Sequence, residues 1–282
     1  FSRSSAAQST ILVSHRIATH RNGSSESWSA PTVAPFSGGW NDMEPALAPD
    51  GSWLVFVSNR PASAGEKPIE AHYGGDAQKG GNLWRVDRTG TGWGAPRRLP
   101  DSINTNTTTF APAIAADGSV WFMTTDPKTA KFRLYRSQFH NDAFEPAQPL
   151  PFSDGTSTDV DPVVAPDESF VVFGSGRVPK RGIDLFIAFR DHGRWGEPIH
   201  LGDVVNSTGS DAEPRLGSDR RTLYFSSERT VPVTFPRSRE QAAVDTARMQ
   251  AWDNGNYNIW RVSLAPWLQA HAHDDATQAG SP

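Results

Sequence analysis

The stretch Asp42-Met43-Glu44-Pro45-Ala46-Leu47-Ala48-Pro49-Asp50-Gly51-Ser52-Trp53-Leu54-Val55-Phe56-Val57-Ser58-Asn59-Arg60 decides the fold. It reads as two short strands joined by a turn: Pro49 presets φ, Asp50 bonds nearby backbone N–H groups, and Gly51 tolerates positive φ. Downstream, Asn82-Leu83-Trp84-Arg85-Val86 is a third strand. Trp93-Gly94-Ala95-Pro96 then introduces an edge strand, where a missing N–H costs little.

The same order returns every fifty to sixty residues, roughly the span of one supersecondary unit. One copy has Asp159-Val160-Asp161-Pro162, Phe173-Gly174-Ser175-Gly176-Arg177, Asp184-Leu185-Phe186 and Trp195-Gly196-Glu197-Pro198. Another has Asp211-Ala212-Glu213-Pro214, Phe225-Ser226-Ser227-Glu228-Arg229 and Asn258-Ile259-Trp260. A degenerate copy keeps Phe110-Ala111-Pro112, Phe122-Met123-Thr124-Thr125-Asp126 and Arg133-Leu134-Tyr135. A partial copy leads the chain: Phe1-Ser2-Arg3-Ser4 matches a strand end, Ile11-Leu12-Val13 a third strand, and Trp28-Ser29-Ala30-Pro31 precedes a fourth.

Four strand signals per copy are the content of one propeller blade, and an open sandwich does not repeat one four-strand order. The prediction is an all-β fold, a β-propeller of four-stranded antiparallel blades, five in number, or six if another blade lies upstream. The blades run over about 1–36 (partial), 37–103, 104–154, 155–205 and 206–268, in a single domain 1–268 followed by a disordered polar tail, 269–282. The leading copy has no first strand and the last has no fourth, so incomplete ring closure from a truncated N-terminus is expected.

Composition narrows the function classes. With 27 Lys and Arg against 31 Asp and Glu, the net charge of −4 is interspersed and forms no basic stripe, which argues against nucleic acid. No apolar run is long enough to span a bilayer as a helix. The absence of cysteine excludes disulfides, thiolate metal sites and cysteine nucleophiles. Ten Trp and fifteen Phe supply aromatic bulk for a core.

The runs "EPALAPDGSWLVFVSNR", "DPVVAPDESFVVFGSGR" and "EPRLGSDRRTLYFSSER", each followed by a Leu/Ile-aromatic strand, resemble the WD40-like β-propeller repeats of TolB-type bacterial proteins. The resemblance covers Phe1 to about Trp267. It implies an exported, periplasmic or secreted, non-enzymatic binding or scaffolding module, with a protein, peptide or glycan partner and a monomeric domain. It transfers no catalytic residue.

Candidate residues follow from the repeat. Glu44, Asp161 and Glu213 recur in the blades that carry Arg60, Arg177 and Arg229, while the degenerate blade has Ala111 and Asp126 instead. That joint loss predicts structural ion pairs, Glu44 with Arg60, Asp161 with Arg177 and Glu213 with Arg229. Asp42, Asp159 and Asp211 have no such partner and are the candidate ligand residues. They would hold a Ca²⁺ ion or a basic group, or, on the competing reading, bond local backbone N–H groups. No other cofactor is indicated. Two insertions follow the Arg positions. Residues 61–80 hold His72 and Tyr73 in a polar flap. The other is 230–255, within which residues 237–252 read as a short helix, its apolar stripe ending at Trp252, that could pack across the propeller face as a lid or partner element. The alternative function is a carbohydrate-active hydrolase using carboxylates at the channel mouth, which needs two carboxylates in different environments.

Overall fold

The computed structural model describes residues 1–5, 7–17, 27–73, 76–90 and 92–279, without the side chains of 76–79 and 274–279. The fold is all-β apart from two helices and is built of five consecutive antiparallel propeller blades. Alternation in the repeat becomes strand, and each Pro-Asp-Gly or related step becomes the hairpin that joins strands one and two.

The first blade has Ser2–Ser4, Ser9–Val13 and Thr32–Val33 in that spatial order, so the segment at the front is a second strand. The second blade runs Asp42–Leu47, Trp53–Ser58, Asn82–Thr89, and then the short outer strands Gly92–Trp93 and Arg97–Arg98. The third runs Phe110–Ile114, Val120–Thr125, Phe132–Ser137 and Gln148–Pro149. The fourth runs Asp159–Val164, Phe170–Ser175, Asp184–Asp191, with Arg194–Trp195 and Ile199–His200 outside. The fifth has three strands, Asp211–Leu216, Thr222–Ser227 and Asn258–Ser263.

By its contacts the chain divides into two compact units, residues 1–125 with 135–148 and residues 126–134 with 149–282. In the first, Ile11, Phe36, Leu54, Phe56, Trp84 and Val86 form an aromatic-rich core. In the second, Phe170, Leu185, Phe189, Leu223 and Phe225 are packed with Leu264. The second strands Trp53–Ser58 and Phe170–Ser175 are buried at every residue, because both sheet faces are covered and alternation no longer separates core from solvent.

Three sequence expectations need correction. The residues after 268 are not a disordered tail as far as they are described. They continue helix α2, Ala265–Ala279. Its Trp267 and Leu268 pack on the core of the second unit, and His271 stacks flat on Phe189 at 3.9 Å and bonds Asp191 at 2.9 Å. The helix in the second insertion, α1, spans Arg239–Arg248 and is capped by Ser238, which accepts from the Gln241 N–H at 3.1 Å. Its apolar stripe does not pack down, since none of its residues is buried. Residues 61–80 are not wholly irregular, because Glu70–Tyr73 and Asp76–Lys79 pair as a hairpin.

Candidate functional site

Each blade opens on an acid that faces its second strand. Asp42 lies opposite Ser58, Asp159 opposite Ser175 and Asp211 opposite Ser227, each two residues before the repeat arginine. All three acids are buried. Arg60 meets Asp42 at 3.1 Å and Arg177 meets Asp159 at 2.9 Å, so the ion pairs form through the first acid and not through Glu44 or Asp161. The same arginines donate to loop carbonyls ahead of their blades, Arg60 to Phe36 at 2.5 Å, Arg177 to Phe152 at 3.4 Å and Arg229 to Val205 at 2.7 Å. In the fifth blade the two halves separate: Asp211 takes the N–H of Ser207 at 2.6 Å and its hydroxyl at 2.9 Å, and Arg229 holds carbonyls alone.

Asp42, Asp159 and Asp211 are therefore buried and bonded within their own blades, the arrangement of the local-bonding reading rather than of an open ligand site. Among the described residues no group of three or more His, Asp or Glu side chains could hold a metal ion. In the degenerate blade Thr108 bonds Asn106 and Thr125, and Asp126 instead pairs with Arg133 at 2.7 Å.

The second acids have a different task, set by the proline that follows them. Pro45, Pro112, Pro162 and Pro214 offer no N–H to the ladder, and the register shifts at each of these points as a β-bulge. The residue before each proline takes left-handed backbone: Glu44 at φ 53°, Ala111 at 50°, Asp161 at 52° and Glu213 at 53°. Leaving the ladder exposes a backbone N–H, which needs a partner. A carboxylate from the preceding blade supplies it. Glu44 Oε2 accepts from the Ala111 N–H at 2.6 Å, and Asp161 Oδ2 accepts from the Glu213 N–H at 3.3 Å. A Glu-Pro or Asp-Pro pair inside a strand was the sequence signal for this link, and it was missed.

In the second unit these acids gather into a cluster. Asp161 is pushed up to about 6 by desolvation and by the neighbouring Glu213, with the Arg215 charge opposing. Glu213 is exposed and accepts from the Ser226 hydroxyl at 2.9 Å. Glu228 accepts from the Ser210 N–H at 3.2 Å. Tyr257, directly before the last strand, bonds the Ser210 side chain beside them. Its phenol is raised by desolvation and by Glu228, Glu213 and Asp161, although the residue is 57% exposed.

The first unit repeats the arrangement. Tyr73, from the first insertion, is raised by desolvation and by Glu44, and its ring lies edge-on to Phe110 at 6.1 Å. His72 beside it is exposed. Trp252, which follows α1, is 68% exposed. The candidate site therefore moves from the first acids to the second, with Tyr73 beside one group and Tyr257 beside the other.

No family model matches the chain, and no curated protein matches it. Similar solved structures include TolB from Acinetobacter baumannii, at 15% identity and TM-score 0.44 over 70% of this chain and 40% of that one. A putative TolB from Agrobacterium tumefaciens is similar at 14% identity and TM-score 0.41, over 70% of this chain and 73% of that one. Prolyl oligopeptidase B from Galerina marginata is similar at 11% identity and TM-score 0.46, over 90% of this chain and 33% of that one. The match thus spans less than half of the Acinetobacter structure and a third of the Galerina enzyme. Likeness at this level concerns the fold alone.

Proposed function

We propose that the chain is a non-catalytic binding module that recognises a protein or peptide segment bearing Lys or Arg, on the surface where second acids and insertions meet. The observation that carries this reading is the convergence of Asp161, Glu213 and Glu228 under the exposed Tyr257. Carboxylates and a phenol on an open surface suit an ammonium or guanidinium head, and an aromatic face adds cation–π attraction to that head. The resemblance to TolB-type repeats supports a place in the bacterial envelope, periplasmic or secreted. No helix among the described residues is long and apolar enough to cross a membrane.

The test is binding of Lys- and Arg-containing peptides, with a panel of glycans beside them. Glu213→Gln and Tyr257→Phe should each weaken peptide binding about three- to tenfold, the size of about 1 kcal/mol of lost interaction, without lowering the melting temperature. Equal affinity for neutral and cationic peptides would remove the reading. A carbohydrate hydrolase is the second reading, favoured by one observation: Asp161 at about 6 beside the exposed Glu213 gives two carboxylates in unlike environments. Release of sugar from oligosaccharide or aryl-glycoside substrates, lost in both Asp161→Asn and Glu213→Gln, would establish it.

A further inference from the structure

The segment ahead of the second blade departs from the repeat. Gly155-Thr156-Ser157-Thr158 precedes Asp159 and Ser207-Thr208-Gly209-Ser210 precedes Asp211, whereas Gly38-Gly39-Trp40-Asn41 precedes Asp42 and brings an indole and a carboxamide to that place. The segment is pinned at both ends. Buried Asp42 accepts from the Ser37 hydroxyl at 2.8 Å and from the Gly38 N–H at 3.3 Å, while Asn41 is bonded to Asn59, just past the end of the second strand. Gly38 turns the chain at φ 99°, and Trp40 between the two pins is 39% exposed.

The pairing of Asn41 with Asn59 recurs in the fifth blade with a different acceptor. The Asn41 N–H donates to Asn59 Oδ1 at 2.8 Å, and the Asn59 N–H donates to the Asn41 carbonyl at 3.3 Å. Ser210 and Glu228 make the same two bonds at 3.2 and 2.9 Å, with a carboxylate oxygen as the side-chain acceptor. Asn41 Oδ1 is occupied as well, by the Ser9 N–H at 3.0 Å. A backbone N–H can be met only by the oxygen of a carboxamide, so both oxygens are used and both NH₂ groups are left over. Among the described residues neither Nδ2 has a hydrogen-bond partner.

Asn41, Asn59 and Trp40 line one cavity of about 300 Å³ with Gln8 and Thr10, and no charged side chain is among the described residues that line it. An uncharged pocket with donors in excess and one exposed indole calls for a compact, neutral ligand rich in acceptors. We propose that this cavity binds an acetamido sugar, an N-acetylhexosamine unit of a neutral glycan. The acetamido carbonyl is the acceptor for the carboxamide NH₂ groups, the ring hydroxyls pair with Gln8 and Thr10, and the C–H face of the pyranose lies against the indole. A peptide fits less well, because a cavity at the small end of ligand sites holds one ring rather than an extended run of residues. The site shares no residue with the carboxylate group of the second unit and does not depend on the cation reading of that group.

The probe is chitotriose, the trimer of N-acetylglucosamine, titrated into the whole chain by calorimetry. Cellotriose, which carries hydroxyls where chitotriose carries acetamido groups, and the uncharged peptide acetyl-Gly-Ser-Gly-amide are titrated beside it. Saturable binding of chitotriose is expected at millimolar concentration or below, with cellotriose about tenfold weaker. Asn59→Asp keeps an oxygen for the Asn41 N–H, as Glu228 does for Ser210, but removes the free donor. It should weaken chitotriose about tenfold at an unchanged melting temperature. Trp40→Ala, at an exposed side chain, should weaken it by a similar factor. Glu213→Gln should leave it unchanged, so that this site and the peptide surface stand or fail separately. Equal affinity for cellotriose, undiminished binding in Asn59→Asp or Trp40→Ala, or no saturation at millimolar chitotriose overturns the proposal. Tighter binding of the uncharged peptide than of chitotriose overturns it in favour of a peptide site.

Discussion

Asp159 is buried with the Ser175 hydroxyl at 2.5 Å and Arg177 at 2.9 Å, and Arg177 rests on the rings of Phe173 and Phe186 at 5.3 and 5.0 Å. Removing the carboxylate leaves a largely buried guanidinium without its counter-charge, held only by the Ser175 hydroxyl at 2.8 Å, the Phe152 carbonyl and the two rings. Asp159→Ala is expected to cost about 3 kcal/mol, the low end for breaking a buried pair from one side. Urea denaturation should show a lower midpoint at unchanged slope. Asp161 behaves oppositely. The folded chain holds its proton up to about pH 6, the unfolded chain only to about the ordinary carboxyl value of 3.8. The folded state therefore binds more protons between pH 4 and 6, and stability falls as pH rises through that window, by at most about 3 kcal/mol. Asp161→Asn keeps an acceptor for the Glu213 N–H. It should match the wild type at pH 4, exceed it at pH 8, and flatten the pH dependence of the denaturation midpoint. The repeat alone could not separate the two acids, since the degenerate blade loses both, as Thr108 and Ala111. The bulge separates them.

At the scale of elements, the blades are tied together by backbone close approach as much as by side chains. Gly81, just before the third strand of the second blade, donates to the Thr107 carbonyl at 2.9 Å and accepts from the Thr109 N–H at 3.2 Å. A Cβ there would meet Val57 Cγ1 and lie 2.8 Å from Phe110 Cε1. Gly81→Ala should therefore destabilise by about 1–3 kcal/mol through overpacking, visible as a lower melting temperature. The strands were legible because turns and alternation are local. The α2 helix was not, because His and Asp residues read as a solvated end until His271 meets Phe189 and Asp191, 80 residues away.

For the molecule as a whole, the inward-turned first acids predict that millimolar Ca²⁺ leaves the melting temperature unchanged. A rise with saturating calcium, the mass-action signature of binding to the folded state, would contradict it. The amino-acid order by itself determined the repeat, the all-β class and a propeller of five or six blades. Each of these follows from periodicity and turn chemistry that neighbouring residues carry. Tertiary structure alone decided which acid meets the arginine, why Asp161 is desolvated, and that Tyr257 and Tyr73 stand beside second acids. Those outcomes depend on a one-residue bulge and on insertions folding back over it, and no local pattern encodes the place where such a loop comes to rest.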